Sequence, residues 1–254
     1  MRALVIIPTY NERENIQSLV QAVLAQDERI DVLVVDDGSP DSTGQIADAM
    51  AAESGRVHVI HRAGKLGLGT AYVAGFQYAL AHRYDRVLEM DADYSHRPED
   101  LPRLIAASEQ ADVVVGSRNV PGGRAEDWSP LRHFVSKGGS LYARLLLGIP
   151  IKDCTSGFKC FHRAAIELLD LPALRSNGYA FQVEVNHACA QAGLRFAEVP
   201  IVFPDRTRGQ SKMSWRIAVE AAWLVLRLRL GIARPPLLQI PATPSLDVSP
   251  GQTR

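Results

Sequence analysis

The sequence predicts an α/β fold built on a mostly parallel central sheet flanked by helices. Three observations carry this reading. Short continuous apolar runs alternate with helix-patterned stretches five times over residues 3–118. A polar cluster follows most of these runs: "PTYNE", "DDGS", "DADYSH" and "GSR". The chain has 254 residues, enough for one large α/β domain with a sizeable core. In such sheets ligands bind beyond the carboxyl ends of the strands, so the four clusters are expected to share one site.

Each element follows from its own residues. "ALVIIP" (3–8) is a short unbroken apolar run, the pattern of a strand buried on both faces. In "NERENIQSLVQAVLAQ" (11–26), Ile16, Leu19, Val20, Val23 and Leu24 recur at helical spacing. "DVLVVDDGSPDST" (31–43) is a second buried strand ending in a turn, where Asp41 or Ser42 caps a helix running to about Ala52. "RVHVIHR" (56–62) reads as a third strand, "GLGTAYVAGFQYALAH" (67–82) as a helix and "DRVLEMDAD" (85–93) as a fourth strand. Pro98 opens a helix over 98–110, and "ADVVVGSR" (111–118) is the fifth strand. Residues 119–136, rich in Gly, Pro and charge, are expected to form a mobile loop. A helix over 136–151, a strand over 154–163, a helix over 180–193 closed by Gly193 and a strand over 194–203 follow. A basic loop, "PDRTRGQSKMS" (204–214), leads into a last long helix over 214–231. The expected catalytic domain spans 1–233, and the Pro- and Ser-rich stretch 234–254 reads as a disordered tail.

Composition narrows the function. Formal net charge is zero, which argues against a nucleic-acid binder working through bulk charge. Cys154, Cys160 and Cys189 show no C-x-x-C spacing and read as buried thiols in a reducing compartment. "MRALVIIPTYNERENI" lacks the form of a signal peptide. No stretch reaches the roughly 18–20 apolar residues of a spanning helix; the nearest, 217–233, is interrupted by Glu220, Arg227 and Arg229.

The first strand is followed by "PTYNERE" rather than G-x-G-x-x-G, and "GKLGLGTA" (64–71) lacks the third glycine at the required place, so nicotinamide binding is not expected. Carboxylates take its place. Asp36 and Asp37 end the second strand, and a carboxylate there can accept from a base N–H or a ribose hydroxyl. Asp91 and Asp93 supply hard oxygens to a metal that also holds phosphate.

Taken together, "IIPTYNERENI", "VLVVDDGSPDST", "EMDADYSHRPEDLP", "VVGSR", "CTSGFK" and "DRTRGQSKMS" resemble family 2 glycosyltransferases, and within them the dolichol- or polyprenol-phosphate mannosyltransferases. The likeness covers about residues 3–230. It implies a GT-A fold, a GDP-mannose donor, Mg²⁺ or Mn²⁺, and a polyprenyl or dolichyl phosphate acceptor. By the same resemblance, Pro8, Tyr10 and Glu12 match the segment holding base and ribose, and Val35 and Asp37 the next part of the nucleotide pocket. Asp91, Ala92 and Asp93 match the metal–diphosphate motif, with Ser95 standing where relatives often carry a metal-holding glutamine. Arg118, Arg132, Arg206 and Lys212 match basic positions around the diphosphate and the acceptor phosphate. The acceptor is a phosphate monoester, already anionic near neutral pH, so the chemistry is expected to rest on gathering charge rather than on a strong base, by in-line displacement with inversion. A sibling reading keeps the fold with a UDP-sugar donor, and a third is a silent nucleotide-sugar-binding subunit.

The expected setting is the cytoplasmic face of a membrane, held peripherally or through an anchoring partner. "SWRIAVEAAWLVLRLRLG" (214–231) sets Trp215, Trp223, Arg227 and Arg229 around an aliphatic body, and "LYARLLLGIPI" (141–151) is the other candidate for touching lipid.

Overall fold

A computed structural model describes residues 1–204 and 215–238. The order is β1 (Ala3–Thr9), α1 (Ile16–Leu24), β2 (Ile30–Asp36), α2 (Thr43–Glu53), β3 (Val57–His61), α3 (Leu68–Ala81), β4 (Arg86–Glu89), α4 (Leu101–Ala107) and β5 (Val113–Ser117). Then come β6 (Arg124–Ala125), α5 (Pro130–Leu147), β7 (Lys159–His162), α6 (Arg163–Glu167), α7 (Gly178–Gln191), β8 (Phe196–Pro200), β9 (Val202–Phe203) and α8 (Trp215–Arg229).

The main sheet has the order β3-β2-β1-β4-β7-β5-β8, and β6 pairs with β9 apart from it. Its strands are parallel except β7, which lies antiparallel between β4 and β5. The apolar runs are continuous because both faces are covered: α3, α5 and α7 pack on one side, α1 and α4 on the other. Leu4, Ile6, Val5 and Ile7 alternate between these two cores at zero exposure, and burying each contributes roughly 1.5–3 kcal/mol. α3 lies close on β1 because Gly75 has no side chain; a Cβ there would come within 2.6 Å of Ile6.

Several boundaries differ from the sequence reading. α1 starts at Ile16, since Asn11 takes a left-handed φ of 61° and residues 11–15 turn instead. At α2, Ser42 stands at the cap position without a side-chain bond, and the Asp41 carboxylate accepts from the Thr43 N–H and hydroxyl. The stretch 119–136 is not a loop throughout. Ser129 accepts from the Arg132 N–H and Pro130 suits the first turn, so α5 begins six residues before the expected 136, and 124–125 form β6. The strand expected over 154–163 is confined to its second half, because the Ser156 hydroxyl donates to the Gly116 carbonyl and holds the preceding segment as a loop. α6 was not read from the sequence. After α8 the chain returns to the body: Asp170 N–H donates to the Pro236 carbonyl at 2.9 Å and Leu237 pairs with Leu169. Residues 239–254 of the expected tail lie outside the described residues.

Candidate active site

The carboxyl ends of β1, β2 and β4 open into one cleft of about 340 Å³. Pro8, Tyr10, Glu12 and Asp37 line one end with Lys65 and Gly67; Asp91, Ala92, Asp93, Arg132, Tyr179 and Gln182 line the other. The sheet order explains the layout. β4 lies beside β1, with β2 and β3 beyond it, so one end of the cleft draws on the loops after β1, β2 and β3. β7 and β5, on the far side of β4, place the loop before β7 and helices α5 and α7 at the other end.

Residues 91–96 form a self-supporting turn. Tyr94 has a left-handed φ of 61°, a conformation that costs a non-glycine residue about 1 kcal/mol or more. The turn is held by three contacts: Ser95 Oγ donates to Asp93 Oδ1 at 2.5 Å, Ser95 N–H donates to the same oxygen at 3.1 Å, and Asp91 N–H donates to His96 Nδ1 at 3.0 Å. His96 is itself buried and stacked on Phe158. Tyr72 donates to Asp91 Oδ1 at 3.3 Å. Burial, reinforced by the Asp91 charge, raises the Tyr72 pKa, so the hydroxyl stays a donor.

Below this turn two titratable side chains are buried across from each other. Glu89 and Lys159 are register partners across β4 and β7, both at zero exposure. Burial lifts the Glu89 carboxyl to about 7 against the opposing pull of Lys159, and burial lowers Lys159. Lys159 Nζ donates to Gln182 Oε1 and so supports a residue that lines the cleft.

The carboxylates suit a divalent cation. Their oxygens are hard donors, and among the described residues no cluster of three His, Cys, Asp or Glu side chains forms a closed cage. Mg²⁺ and Mn²⁺ accept such a site when phosphate oxygens and water complete the shell. Asp91 and Asp93 both line the cleft. Ser95, expected beside them as a ligand, is wholly buried and spends its hydroxyl on Asp93.

The other expected residues divide. Val35 is buried in the core among Tyr72 and Phe76, and its side chain does not line the cleft. Arg118 is also turned away. Its Nε and Nη2 donate to Asp153 Oδ2 and Oδ1, both at 2.7 Å, at 6% and 0% side-chain exposure. It borders a smaller neighbouring pocket with Trp128 and Lys137. Burial would raise the Asp153 pKa, but the guanidinium and its hydrogen bonds outweigh that and hold it below its ordinary value. Arg132 lines the cleft with its guanidinium 4.0 Å from the Trp128 ring centre. Arg206 and Lys212 lie outside the described residues.

Past Arg132, Thr155 and Tyr179 the cleft continues into an apolar groove of about 100 Å³ among α5, α7 and α8. Large apolar side chains are exposed on these helices, among charges such as Lys137, Arg144 and Arg227: Leu131 (72%), Phe134 (76%) and Leu145 (72%) on α5, and Trp223 (59%) on α8. Among the described residues no helix is long and apolar enough to cross a membrane. Cys154, Cys160 and Cys189 are buried free thiols, each pushed up to about 12 by burial.

Sequence reasoning missed Arg62, Lys65, Tyr179 and Gln182. Lys65 sits in the glycine-bearing stretch 64–71, read only for its glycine spacing, although a cation after the third strand on the ligand edge was a usable signal.

The chain is similar to known proteins in sequence and in fold. Residues 4–169 match the model of glycosyl transferase family 2. An undecaprenyl-phosphate mannosyltransferase of Micrococcus luteus is 47% identical over 243 residues, 91% of this chain and 100% of the relative. A polyprenol monophosphomannose synthase of Mycolicibacterium smegmatis is 47% identical over 239 residues, covering 92% and 90%. Among solved structures, glucosyl-3-phosphoglycerate synthase from Mycobacterium tuberculosis in complex with Mn²⁺, UDP-glucose and glycerol 3-phosphate superposes with a TM-score of 0.66 at 20% identity, over 92% of this chain and 81% of that one. With its mixed sheet, its D-A-D turn and this match over most of its length, the chain belongs to glycosyl transferase family 2.

Proposed function

We propose that this protein transfers mannose from GDP-mannose to a polyprenyl phosphate at the cytoplasmic face of a membrane, with inversion at the anomeric carbon. The observation that carries the reading is the junction of two unlike spaces. A carboxylate-lined polar cleft opens, past Arg132, into an apolar groove bounded by helices that expose large apolar side chains. A charged donor and a greasy acceptor need that combination. The mannosyltransferase names of the relatives, 47% identical over almost the whole chain, support the sugar and the acceptor class.

The roles follow from charge. A divalent ion held by Asp91 and Asp93 would stabilise charge on the departing diphosphate. Ser95 and His96 keep the turn in shape. Arg132, at the mouth of the groove, meets the acceptor phosphate, with Arg206 and Lys212 proposed beside it. The phosphate oxygen is already anionic and attacks without a strong base. Leu131, Phe134, Leu145 and Trp223 seat the helices at the headgroup boundary, alone or with an anchoring partner.

One assay panel tests this: GDP-mannose, UDP-glucose and UDP-GlcNAc against a short polyprenyl phosphate, with Mg²⁺, Mn²⁺ or EDTA. Metal-dependent transfer from GDP-mannose to a β-linked product is expected. Transfer only from a UDP-sugar moves the protein to a sibling activity, and no transfer from any donor makes it a silent binding subunit. An α-linked product refutes inversion.

A further inference from the structure

α7 sets one polar group into the cleft that the reading above leaves unused. Gln182 lies in the second turn of that helix, is 2% exposed and lines the cleft. Lys159 fixes which way its amide faces. Nζ donates to Gln182 Oε1, and to the Gln182 carbonyl at 3.4 Å. An ammonium only donates, so the amide oxygen turns toward Lys159 and the NH₂ turns away from it. Gln182 Nε2 is buried and makes no hydrogen bond among the described residues. The Glu89 carboxyl, which this amide helps keep ionised, draws on one of its two protons at most. A buried donor left unsatisfied costs about 1–3 kcal/mol, so an oxygen of a ligand is its expected partner.

Glycine at 157 keeps that donor open to the cleft. A Cβ there would come 3.4 Å from Gln182 Nε2 and 3.9 Å from His96 Cε1. The segment 155–157 thus runs from the mouth of the groove, where Thr155 lies with Arg132, to the 91–96 turn. A departing diphosphate at the turn and an incoming phosphate at Arg132 leave the sugar between them. The amide is neutral and has the Glu89 carboxyl beside it. That setting suits a neutral hydroxyl and repels a further phosphate.

We propose that Gln182 Nε2 donates to a hydroxyl of the transferred hexose, reading the sugar rather than the nucleotide, and that Lys159 is the positioning residue that holds the amide in this orientation. The inference rests on the nucleotide-sugar reading of the cleft and adds a sugar contact to it.

Calorimetric titration of the full chain in Mn²⁺, without acceptor, tests this. GDP-mannose and UDP-glucose are each compared with their own diphosphate, GDP or UDP. Gln182→Met keeps the length of the side chain and removes the amide. It is expected to weaken the sugar nucleotide that the wild type binds about tenfold and to leave the diphosphate unchanged. Lys159→Met frees the amide to turn over. It is expected to narrow the ratio of the two affinities without weakening the diphosphate. An equal loss of both ligands in either variant overturns the inference, because the residue would then serve the diphosphate or the fold. Unchanged binding of both by Gln182→Met also overturns it, and a raised KM for polyprenyl phosphate in that variant would assign the amide to the acceptor. Should Gln182→Met bind no diphosphate at all, Gln182→Asn, which draws the amide back by one methylene, carries the same comparison. If the wild type binds none of the four ligands, the nucleotide-sugar reading falls, and this inference with it.

Discussion

Replacing Asp153 by asparagine isolates one fully buried ion pair of the described fold, Asp153–Arg118. Asp153 is wholly buried and accepts from Arg118 N–H at 3.0 Å, Nε at 2.7 Å and Nη2 at 2.7 Å, with Thr155 Oγ1 at 3.3 Å. Asparagine keeps the shape but withdraws one acceptor oxygen and the charge, leaving a buried guanidinium without its counter-ion. Breaking such a pair from one side costs about 3–5 kcal/mol, against a total stability of about 5–15 kcal/mol. In a chain of this size each kcal/mol moves the melting midpoint by about 2–4 °C, so Asp153→Asn is expected to melt about 6–20 °C lower. Calorimetry and urea titration both read this. The double replacement Arg118→Met with Asp153→Leu removes both charges and is expected to recover most of the loss. The pH dependence has a definite sign. The folded carboxyl is depressed below its ordinary 3.8, so its contribution is complete above that value and fades as pH falls through the folded one. The wild type's advantage over Asp153→Asn therefore shrinks on acidification. A single mutant within about 1 kcal/mol of wild type, or a double mutant no more stable than the single, would refute the reasoning.

Two further outcomes are expected. Ser95→Ala removes the hydroxyl that holds Asp93 Oδ1 and should raise the Mn²⁺ concentration for half-maximal transfer about 10–100-fold, since supporting partners of metal ligands carry effects of that size; an unchanged Mn²⁺ requirement counts against it. Phe134→Glu with Leu145→Glu should abolish sedimentation with lipid vesicles while sparing transfer to a short, water-soluble isoprenyl phosphate. Vesicle binding at the wild-type level would show that these helix faces do not meet lipid.

The legible parts of the fold were those decided by local burial. "ALVIIP" and "DVLVV" are strands because both faces are covered, and an unbroken apolar run says so directly. The early start of α5 was written in Ser129-Pro130 but outweighed by the glycines and charges around it. Arg118 shows the limit more plainly. The family resemblance sets it among the basic positions around the diphosphate, and a partner 35 residues further on holds it in a buried ion pair. Ser95 is similar: the family resemblance set it beside the metal, and the tight left-handed turn at Tyr94 folds its hydroxyl back onto the Asp93 carboxylate. Asp37, Asp91 and Asp93 came out as cleft residues because their position follows from strand topology alone.

The antiparallel β7 also orders events in time. β4 and β5 are neighbours in the chain but not in the sheet; Leu88 and Val114 both wait for Cys160. During synthesis, β1, β2, β3 and β4 can assemble with their helices while the β5 side has no seam to join. The half of the cleft built on β1, β2 and β3 is therefore free to form first, and the half beside β7 and β5 is stitched on by a strand made much later. Such long-range closure is slow relative to local folding, which leaves the β4 edge open in the interval. A nascent chain halted before residue 159 should thus display an unpaired apolar edge, the state in which this protein is most exposed to aggregation and to chaperone capture.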